Sequence, residues 1–154
     1  MTHVDTKKTI GRSEIVRFPV LDEQKVHARI DSGARTSAIW GSAYQQDGVL
    51  YVTFFGSDGT PYTFDDFGRQ AVASSNGHID KRYTIKMPVV LKGRRILATF
   101  TIADRSSQVY PVLIGRNVLR GKFVVDVTLG KTLDLKEKEK IRALNTLIDK
   151  EREL

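Results

Sequence analysis

Apolar and polar residues alternate along most of the chain between residues 10 and 127, in short segments rich in Val, Ile, Phe, Tyr and Thr. Alternation with a period of two is typical of strands with one buried face, and Gly, Asn, Asp and Pro mark the turns between them. The pattern therefore predicts an all-β domain. Its strands are expected near residues 13–18, 25–30, 49–55, 61–66, 69–74, 82–91, 95–103, 111–114 and 123–127.

Three short segments have the composition of hairpin turns. They are Ser57-Asp58-Gly59, Ser75-Asn76-Gly77 and Lys92-Gly93. Glycine is favoured in such turns because it adopts positive φ without a steric penalty. We therefore expect each segment to join two neighbouring antiparallel strands.

The two ends of the chain differ from this pattern. Residues 1–9 are polar and are predicted to be a flexible N-terminus, so the β domain is expected to span residues 10–130. Residues 131–154 contain no Gly or Pro, and the apolar residues there recur at helical spacing. One C-terminal helix is therefore predicted. It either covers the sheet or extends as an arm, and a dimerisation helix is the alternative.

Composition excludes several classes of protein. The 154 residues include no Cys, which excludes a disulfide scaffold, a thiol nucleophile and a thiolate metal site. No apolar run approaches the ~20 residues that span a bilayer, and the N-terminal residues do not resemble a signal peptide. A cytoplasmic protein without a membrane partner is the expectation. Of the net charge of +7, residues 71–130 hold ten basic and three acidic side chains. Such an excess favours anionic partners.

The first candidate for chemistry is the loop Asp31-Ser32-Gly33-Ala34, which follows an apolar strand. Amides of the turn are expected to hold the Asp31 carboxylate, because Gly33 lets them approach without a Cβ clash. The Ser32 hydroxyl can form a hydrogen bond to a facing loop. Asp-Ser-Gly alone is common in turns, so the motif needs a second element to indicate function.

That second element is the apolar segment Leu113-Ile114-Gly115, which is followed by Arg116-Asn117 and a predicted short helical turn. In this order, the two elements resemble the retropepsin-type aspartic peptidases. The resemblance implies an all-β, retropepsin-like (acid-protease) closed barrel with one C-terminal α-helix. It also implies that Leu113, Ile114 and Gly115 thread against the catalytic loop, and that Arg116 and Asn117 support the loop and an interface.

Five segments in a fixed order narrow the resemblance to a bacterial and archaeal retropepsin-like family, often labelled ATP-dependent zinc proteases. That family is associated with an ATP-grasp glutamate ligase that modifies a ribosomal protein, which implies an acidic or glutamate-tailed substrate. Ser32 stands where the family usually has Thr, and Arg12 where it often has Trp. The segments are Ile10-Gly11-Arg12-Ser13-Glu14, residues 29–39, Arg82-Tyr83-Thr84-Ile85, Ala103-Asp104-Arg105-Ser106 and residues 110–116.

One chain offers one such loop, whereas hydrolysis by carboxylates needs two that share a proton. A homodimer would place Asp31 beside its own copy, so the resemblance predicts an aspartic peptidase that is active as a dimer. Other aspartates are not followed by a hydroxyl residue and Gly. Asp104 is expected to form an ion pair or a turn with Arg105, and Asp126 is expected to point outward from a strand. Asp65 and Asp66 are the remaining candidates for a second catalytic carboxylate from the same chain.

A peptidase of this kind also needs a flap that closes over the substrate. The hairpin tip around Ser74, Ser75, Asn76 and Gly77 is the candidate, because it precedes the predicted strand pair 82–91 and 95–103. An ordinary hairpin is the alternative. Trp40, which lies close to the Asp31 loop in sequence, is expected to form part of the core or the wall of the cleft together with Ala34.

Cofactors are not expected. His3, His27 and His78 do not have the spacing of a metal-ligand pair, and no phosphate-binding glycine motif is present. The main rivals to a peptidase are a non-catalytic regulatory module of a glutamate-ligase system and a nucleic-acid binder on the same barrel. Basic residues such as Lys92, Arg94 and Arg95 favour the latter. Most aromatic residues, however, have the spacing of core or cross-strand positions rather than of a base-stacking platform.

Overall fold

The computed structural model describes residues 6–73, 76–130 and residue 139. The C-terminal helix predicted for residues 131–154 lies outside the described residues, apart from residue 139. The elements of the described part are β1 (Lys8–Ile10), β2 (Ser13–Phe18), β3 (Gln24–Ile30), β4 (Ser37–Gln46), β5 (Val49–Phe54), β6 (Tyr62–Phe64), β7 (Phe67–Ala73), β8 (Ile79–Leu91), β9 (Arg94–Ala103), β10 (Val112–Ile114), α1 (Arg116–Leu119) and β11 (Phe123–Val125).

Six of these strands form a closed barrel. Around the ring, β10 pairs with β3, then come β2, β8, β9 and β4, and β4 pairs with β10 to complete the circle. Strands β5 and β6 extend the sheet from β4, and β7 pairs with the first half of β8. The closed barrel predicted from the sequence is therefore present, and the short helical turn predicted after Gly115 is helix α1.

The interior of the barrel is filled by the apolar residues that alternate along the strands. Val16 and Phe18 of β2 are fully buried, as are Val89 of β8 and Phe100 of β9. The rings of Phe18 and Phe100 meet edge to face, with their centroids 5.5 Å apart. Since burial of apolar surface drives folding, this alternation accounts for the inward face of each strand.

Strand β4 was not predicted, although it is one of the longest strands. Its first residues, from Ser37 onward, pair with both β9 and β10 and form part of the barrel wall. The rest of the strand pairs with β5. The turn between β4 and β5 is Asp47-Gly48, and both residues have positive φ. Asp-Gly is a strong signal for a hairpin, so this turn was detectable in the sequence and was overlooked.

The predicted hairpins are present, with one change in the turn residues. Lys92 and Gly93 have φ of 52° and 76° in the tight turn between β8 and β9. Strands β5 and β6 also pair, but Gly59 does not have positive φ. Phe55 and Gly56 occupy the left-handed region instead, with φ of 58° and 71°. The chain therefore turns at the end of β5, before the predicted segment.

A separate pair of parallel strands lies outside the barrel. Lys8 of β1 is in register with Phe123 of β11, and Ile10 with Val125. Lys8 and Thr9, which the sequence pattern assigned to a flexible N-terminus, thus belong to a strand. Among the described residues, no helix is long and apolar enough to span a membrane.

Candidate active site

Asp31 lies directly after β3 and begins the loop that leads to β4. Its amide donates to the carbonyl oxygen of Ile114 at 2.9 Å, and its Oδ1 accepts the amide of Gly33 at 2.9 Å. Its carbonyl oxygen accepts the amide of Ala34 at 3.2 Å. The loop therefore orients the carboxylate through its own backbone, and the side chain is only partly buried.

Strand β10 supports this loop from below. Leu113 is in parallel register with Arg29, and Ile114 with Ile30, so β10 lies directly beside the strand that ends at Asp31. Leu113 also pairs with Ala38 of β4. Because β10 is held between β3 and β4, both ends of the Asp31 loop are fixed against one strand.

Gly115 lets the next turn approach the loop closely. A Cβ at this position would overlap the carbonyl group of Thr36, which is backbone and cannot move aside. The amide of Arg116 donates to the carbonyl oxygen of Ala34 at 2.8 Å. The backbone of Arg116 thus holds the Ala34 end of the Asp31 loop, and the missing side chain of Gly115 permits this close approach.

Ser37 is a supporting residue that the sequence analysis did not single out. Its side chain is fully buried, its Oγ accepts the amide of Gly115 at 2.9 Å, and its hydroxyl donates to Oδ1 of Asn117 at 2.7 Å. Nδ2 of Asn117 donates in turn to the carbonyl oxygen of Thr99 at 2.8 Å. This chain of hydrogen bonds links β4, α1 and β9 beneath the loop. The feature of the sequence that could have identified Ser37 is a hydroxyl residue at a strand position that faces inward.

Ser32 projects from the loop on the other side. It is exposed, and it lines a groove of about 440 Å³ whose apolar side is formed by Leu119, Phe123 and Val125. Arg116 and Arg120 also line this groove. Its hydroxyl has no hydrogen-bond partner among the residues that the structure describes. The hydrogen bond to a facing loop that the sequence suggested is therefore not formed within the described part of one chain.

The candidate flap is the connection between β7 and β8. These strands pair from Phe67 with Ile85 to Ala73 with Ile79, so the hairpin is long and its tip is near residues 74–78. Gly77 has φ of 84°, and Ile79 beside it is 70% exposed. Asn76 and Gly77 lie at the tip, while Ser74 and Ser75 lie outside the described residues.

A basic cavity of about 620 Å³ adjoins the Asp31 loop. Arg12, Arg29 and Arg105 line it together with Ile30, which precedes Asp31, and with Tyr110. No carboxylate is among these lining residues. The three arginines lie in three separate segments of the chain. The cavity therefore forms only when the closed barrel brings these segments together.

Arg105 is the most constrained of these cations. Its Nε donates to the carbonyl oxygen of Tyr110 at 3.1 Å. Burial lowers the pKa of its guanidinium below the ordinary arginine value, and the nearby charges of Arg82 and Arg29 lower it further. A guanidinium remains charged despite such a shift, so several like charges are held close together here. An anion in this cavity would relieve their repulsion.

Asp104 and Asp126, two other aspartates considered from the sequence, each accept hydrogen bonds within a local turn. Asp104 forms a turn rather than an ion pair with Arg105, and its pKa is lowered because the hydroxyl and then the amide of Ser106 donate to it. Asp126 follows β11 rather than lying on it, so its assignment to a strand was wrong. Its pKa is also lowered, first by the hydroxyl and then by the amide of Thr128.

Trp40 and the remaining aromatic residues pack within the fold. The indole of Trp40 lies against Gly56 in the connection from β5 to β6, and its amide donates to the carbonyl oxygen of Pro111 at 2.8 Å. Tyr44 and Tyr51 stack across β4 and β5 with centroids 5.0 Å apart. These core and cross-strand contacts agree with the interpretation preferred from the sequence. The aromatic residues Phe54, Phe55, Tyr62, Phe64, Phe67 and Tyr83 belong to the core or pack against it.

Metal-ligating side chains do not cluster in the described part of the chain. No group of three or more His, Asp or Glu residues there has the arrangement of a metal site. Asp65 and Asp66 are both exposed in the connection from β6 to β7.

The sequence is similar to those of several known proteins. The chain resembles three proteins named "Probable alpha-L-glutamate ligase", from Shewanella halifaxensis (33% identity over 79% of this chain), Shewanella pealeana (32% over 92%) and Desulfotalea psychrophila (27% over 88%). The chain spans only about a third of these relatives, between 29% and 34% of their lengths.

A solved structure of a Legionella pneumophila protein of unknown function, Lpg0085, has the same fold. Its TM-score is 0.62 at 19% identity, and the match covers 82% of this chain and 98% of that one. Residues 9–136 match the family model described as RimB-like, retropepsin-like aspartic endopeptidase RimB. That match covers most of the chain, including the Asp31 loop, β10 and the β7–β8 hairpin. The chain therefore belongs to the RimB-like family of retropepsin-like aspartic endopeptidases.

Proposed function

We propose that this chain is an aspartic peptidase that acts as a homodimer, with Asp31 of each copy forming the catalytic pair. The observation that carries this proposal is the Asp31 carboxylate, oriented by the Gly33 amide and supported from below by β10. A second copy would cover the exposed Ser32 hydroxyl and the apolar side of the groove beside it, formed by Leu119, Phe123 and Val125. The side chains of Arg116 and Arg120 would remain accessible. Burial of such a groove would contribute to the stability of the dimer.

Two carboxylates in close contact share one proton, because both cannot ionise cheaply. The charged Asp31 removes a proton from a bound water molecule as the water oxygen attacks the carbonyl carbon of the substrate. The protonated Asp31 of the other copy donates its proton to the carbonyl oxygen. When the tetrahedral intermediate collapses, the Asp31 that took the water proton donates it to the departing nitrogen as the C–N bond breaks. The other Asp31 recovers a proton from a hydroxyl of the intermediate, which restores the original pair.

An acidic or glutamate-tailed peptide is the proposed substrate. The cavity that adjoins the Asp31 loop is lined by Arg12, Arg29 and Arg105, and no carboxylate is among its described lining residues. Guanidinium groups bind carboxylates through two parallel hydrogen bonds, which suits a glutamate side chain. The relatives named as glutamate ligases further favour a role alongside an enzyme that adds glutamate.

The test is hydrolysis of a peptide library that includes oligoglutamate-tailed peptides, at values from about pH 4 to 8. Asp31→Asn should abolish cleavage while circular dichroism and thermal unfolding remain those of the wild type. Asp65→Asn is the matched control, because it removes an exposed carboxylate far from the loop in sequence. Cleavage that persists in Asp31→Asn would exclude the proposed catalytic pair.

A non-catalytic binding module in a glutamate-ligase system is the second candidate. It is favoured by one observation, namely that this chain corresponds to about a third of proteins named as ligases. If the wild-type chain cleaves no peptide of the library but binds the oligoglutamate-tailed ones, this second function replaces the first.

A further inference from the structure

A second basic cavity, of about 460 Å³, lies beside helix α1. Arg35, Arg116, Arg120 and Lys122 line it, together with Asn117. The described lining residues thus include four cationic side chains and no carboxylate, and Arg116 and Arg120 also border the groove beside Ser32. Among the described residues, the ion pairs are Arg17 with Glu23 and Arg82 with Asp80, so none of these four cations is neutralised by a described acidic residue.

The cavity is built by the same contacts that hold the Asp31 loop. Arg35 follows that loop directly, and the amide of Arg116 is bonded to the carbonyl oxygen of Ala34 at 2.8 Å. Asn117 is fixed by Ser37 and by the Thr99 carbonyl group. The cations therefore stand on a framework that is rigid near the loop, rather than on a free surface segment.

The like charges have an energetic cost in the absence of a ligand. Arg116 and Arg120 are four residues apart and are joined by the backbone hydrogen bond from Arg120 to Arg116, so their side chains lie on one face. Like charges at this spacing repel. A bound anion would replace that repulsion with attraction.

The two basic cavities lie at the two ends of the Asp31 loop. Ile30, directly before Asp31, lines the cavity of Arg12, Arg29 and Arg105, and Arg35 lines the second one. A peptide in an extended conformation advances about 3.3 Å per residue, so a chain that crosses the loop presents several side chains to its surroundings. Carboxylates on different residues of one peptide can then occupy different cavities.

We propose that the cavity around Arg35 and Arg116 is a second carboxylate-binding subsite, so that the protein recognises a run of acidic residues rather than one. The inference rests on the proposed peptidase function and assigns Arg35 as a specificity-determining residue. A peptide is favoured over a nucleic acid, because none of the described residues that line this cavity is aromatic and could stack on a base.

The test measures binding separately from catalysis. In the Asp31→Asn background, fluorescein-labelled hexaglutamate is titrated and its anisotropy followed at a fixed, low ionic strength. Arg35→Gln should weaken binding about tenfold or more, because it removes a charged bidentate donor. Arg35→Lys should restore part of the affinity, since it keeps the charge and loses the fork. Arg95→Gln, an exposed arginine in β9, is the matched control and should leave the affinity unchanged.

A second arm uses the active protein and hexaglutamate peptides in which one Glu at a time is replaced by Gln. In the wild type, replacement should raise KM at two or more positions. In Arg35→Gln, the penalty should disappear at one of these positions and remain at the others. A merely structural role of Arg35 would instead lower kcat or stability equally for all peptides.

The outcomes separate the two proposals. If wild-type protein cleaves nothing but binding to Asp31→Asn still depends on Arg35, the peptidase function fails and the subsite stands. If Arg35→Gln binds hexaglutamate as tightly as the control, the subsite is overturned whatever the activity. Displacement of the labelled peptide by a single-stranded oligonucleotide more effectively than by unlabelled hexaglutamate would also overturn it, in favour of nucleic acid.

Discussion

Ser37 is the residue at which the contacts beneath the Asp31 loop converge. Its buried hydroxyl joins the amide of Gly115 to the side chain of Asn117, and no neighbouring water is needed to satisfy it. Asp31, Gly33 and Gly115 can be recognised in the sequence because their motifs are local. Ser37 cannot be recognised from a local motif, because the hydrogen bonds of its hydroxyl are made with groups about 80 residues away along the chain.

Ser37→Ala should therefore lower the free energy of unfolding by about 1–3 kcal/mol, because it leaves a buried amide and an amide oxygen without a partner. Denaturant-induced unfolding, followed by fluorescence, measures this change. Ser42→Ala is the matched control, since Ser42 is exposed on the same strand. Equal losses in the two variants would show that the buried hydrogen bonds contribute nothing.

At the level of elements, the hairpins show what local sequence can predict. The turns at Lys92-Gly93 and Gly77 were recognised, and their glycines have the positive φ that was expected. The turn at Asp47-Gly48 carried the same signal but was overlooked, and strand β4 was missed with it. Nine other strands were located near their observed positions, because alternation of apolar residues is itself a local property.

The role of the β7–β8 hairpin can be tested by comparing two turn glycines. Gly77 and Gly48 both have positive φ, and a side chain at either would meet no other atom within 4 Å. Substitution by Val should therefore lower the free energy of unfolding by a similar amount at each position, about 1–2 kcal/mol. If the hairpin is a flap, only Gly77→Val should lower kcat/KM for the oligoglutamate-tailed peptide, because only it stiffens the closing segment.

Thermal unfolding confirms that the two glycine variants are equally folded before their activities are compared. A fall in kcat/KM of the same size in Gly48→Val would mean that loss of stability, rather than flap movement, limits the reaction. Unchanged kcat/KM in both variants would identify the segment as an ordinary hairpin.

For the whole molecule, the central question is whether two copies are needed for one active site. Wild-type chain is mixed with Asp31→Asn chain and allowed to exchange subunits. If each active site needs Asp31 from both copies, activity per wild-type chain falls to about half at a 1:1 ratio and about a quarter with a threefold excess of the variant. Peptide hydrolysis after equilibration measures this loss.

An equal mass of an unrelated inert protein is the control for this mixing experiment, and it should leave the activity unchanged. Activity per wild-type chain that stays constant at every ratio, in chains that sediment as monomers, would show that one copy carries a complete site. Constant activity in chains that sediment as dimers would instead mean that the subunits had not exchanged.

The sequence by itself determined the all-β class, most of the strands and the Asp31 loop, because each depends on residues that are close together along the chain. Only the tertiary structure decided how β10 and β4 close the barrel and how Ser37 supports the loop. It also brought Arg12, Arg29 and Arg105 to one cavity, and Arg35 to another with residues of α1. These arrangements depend on pairing between strands that are distant along the chain, and the local pattern of apolar residues does not reveal which strands pair.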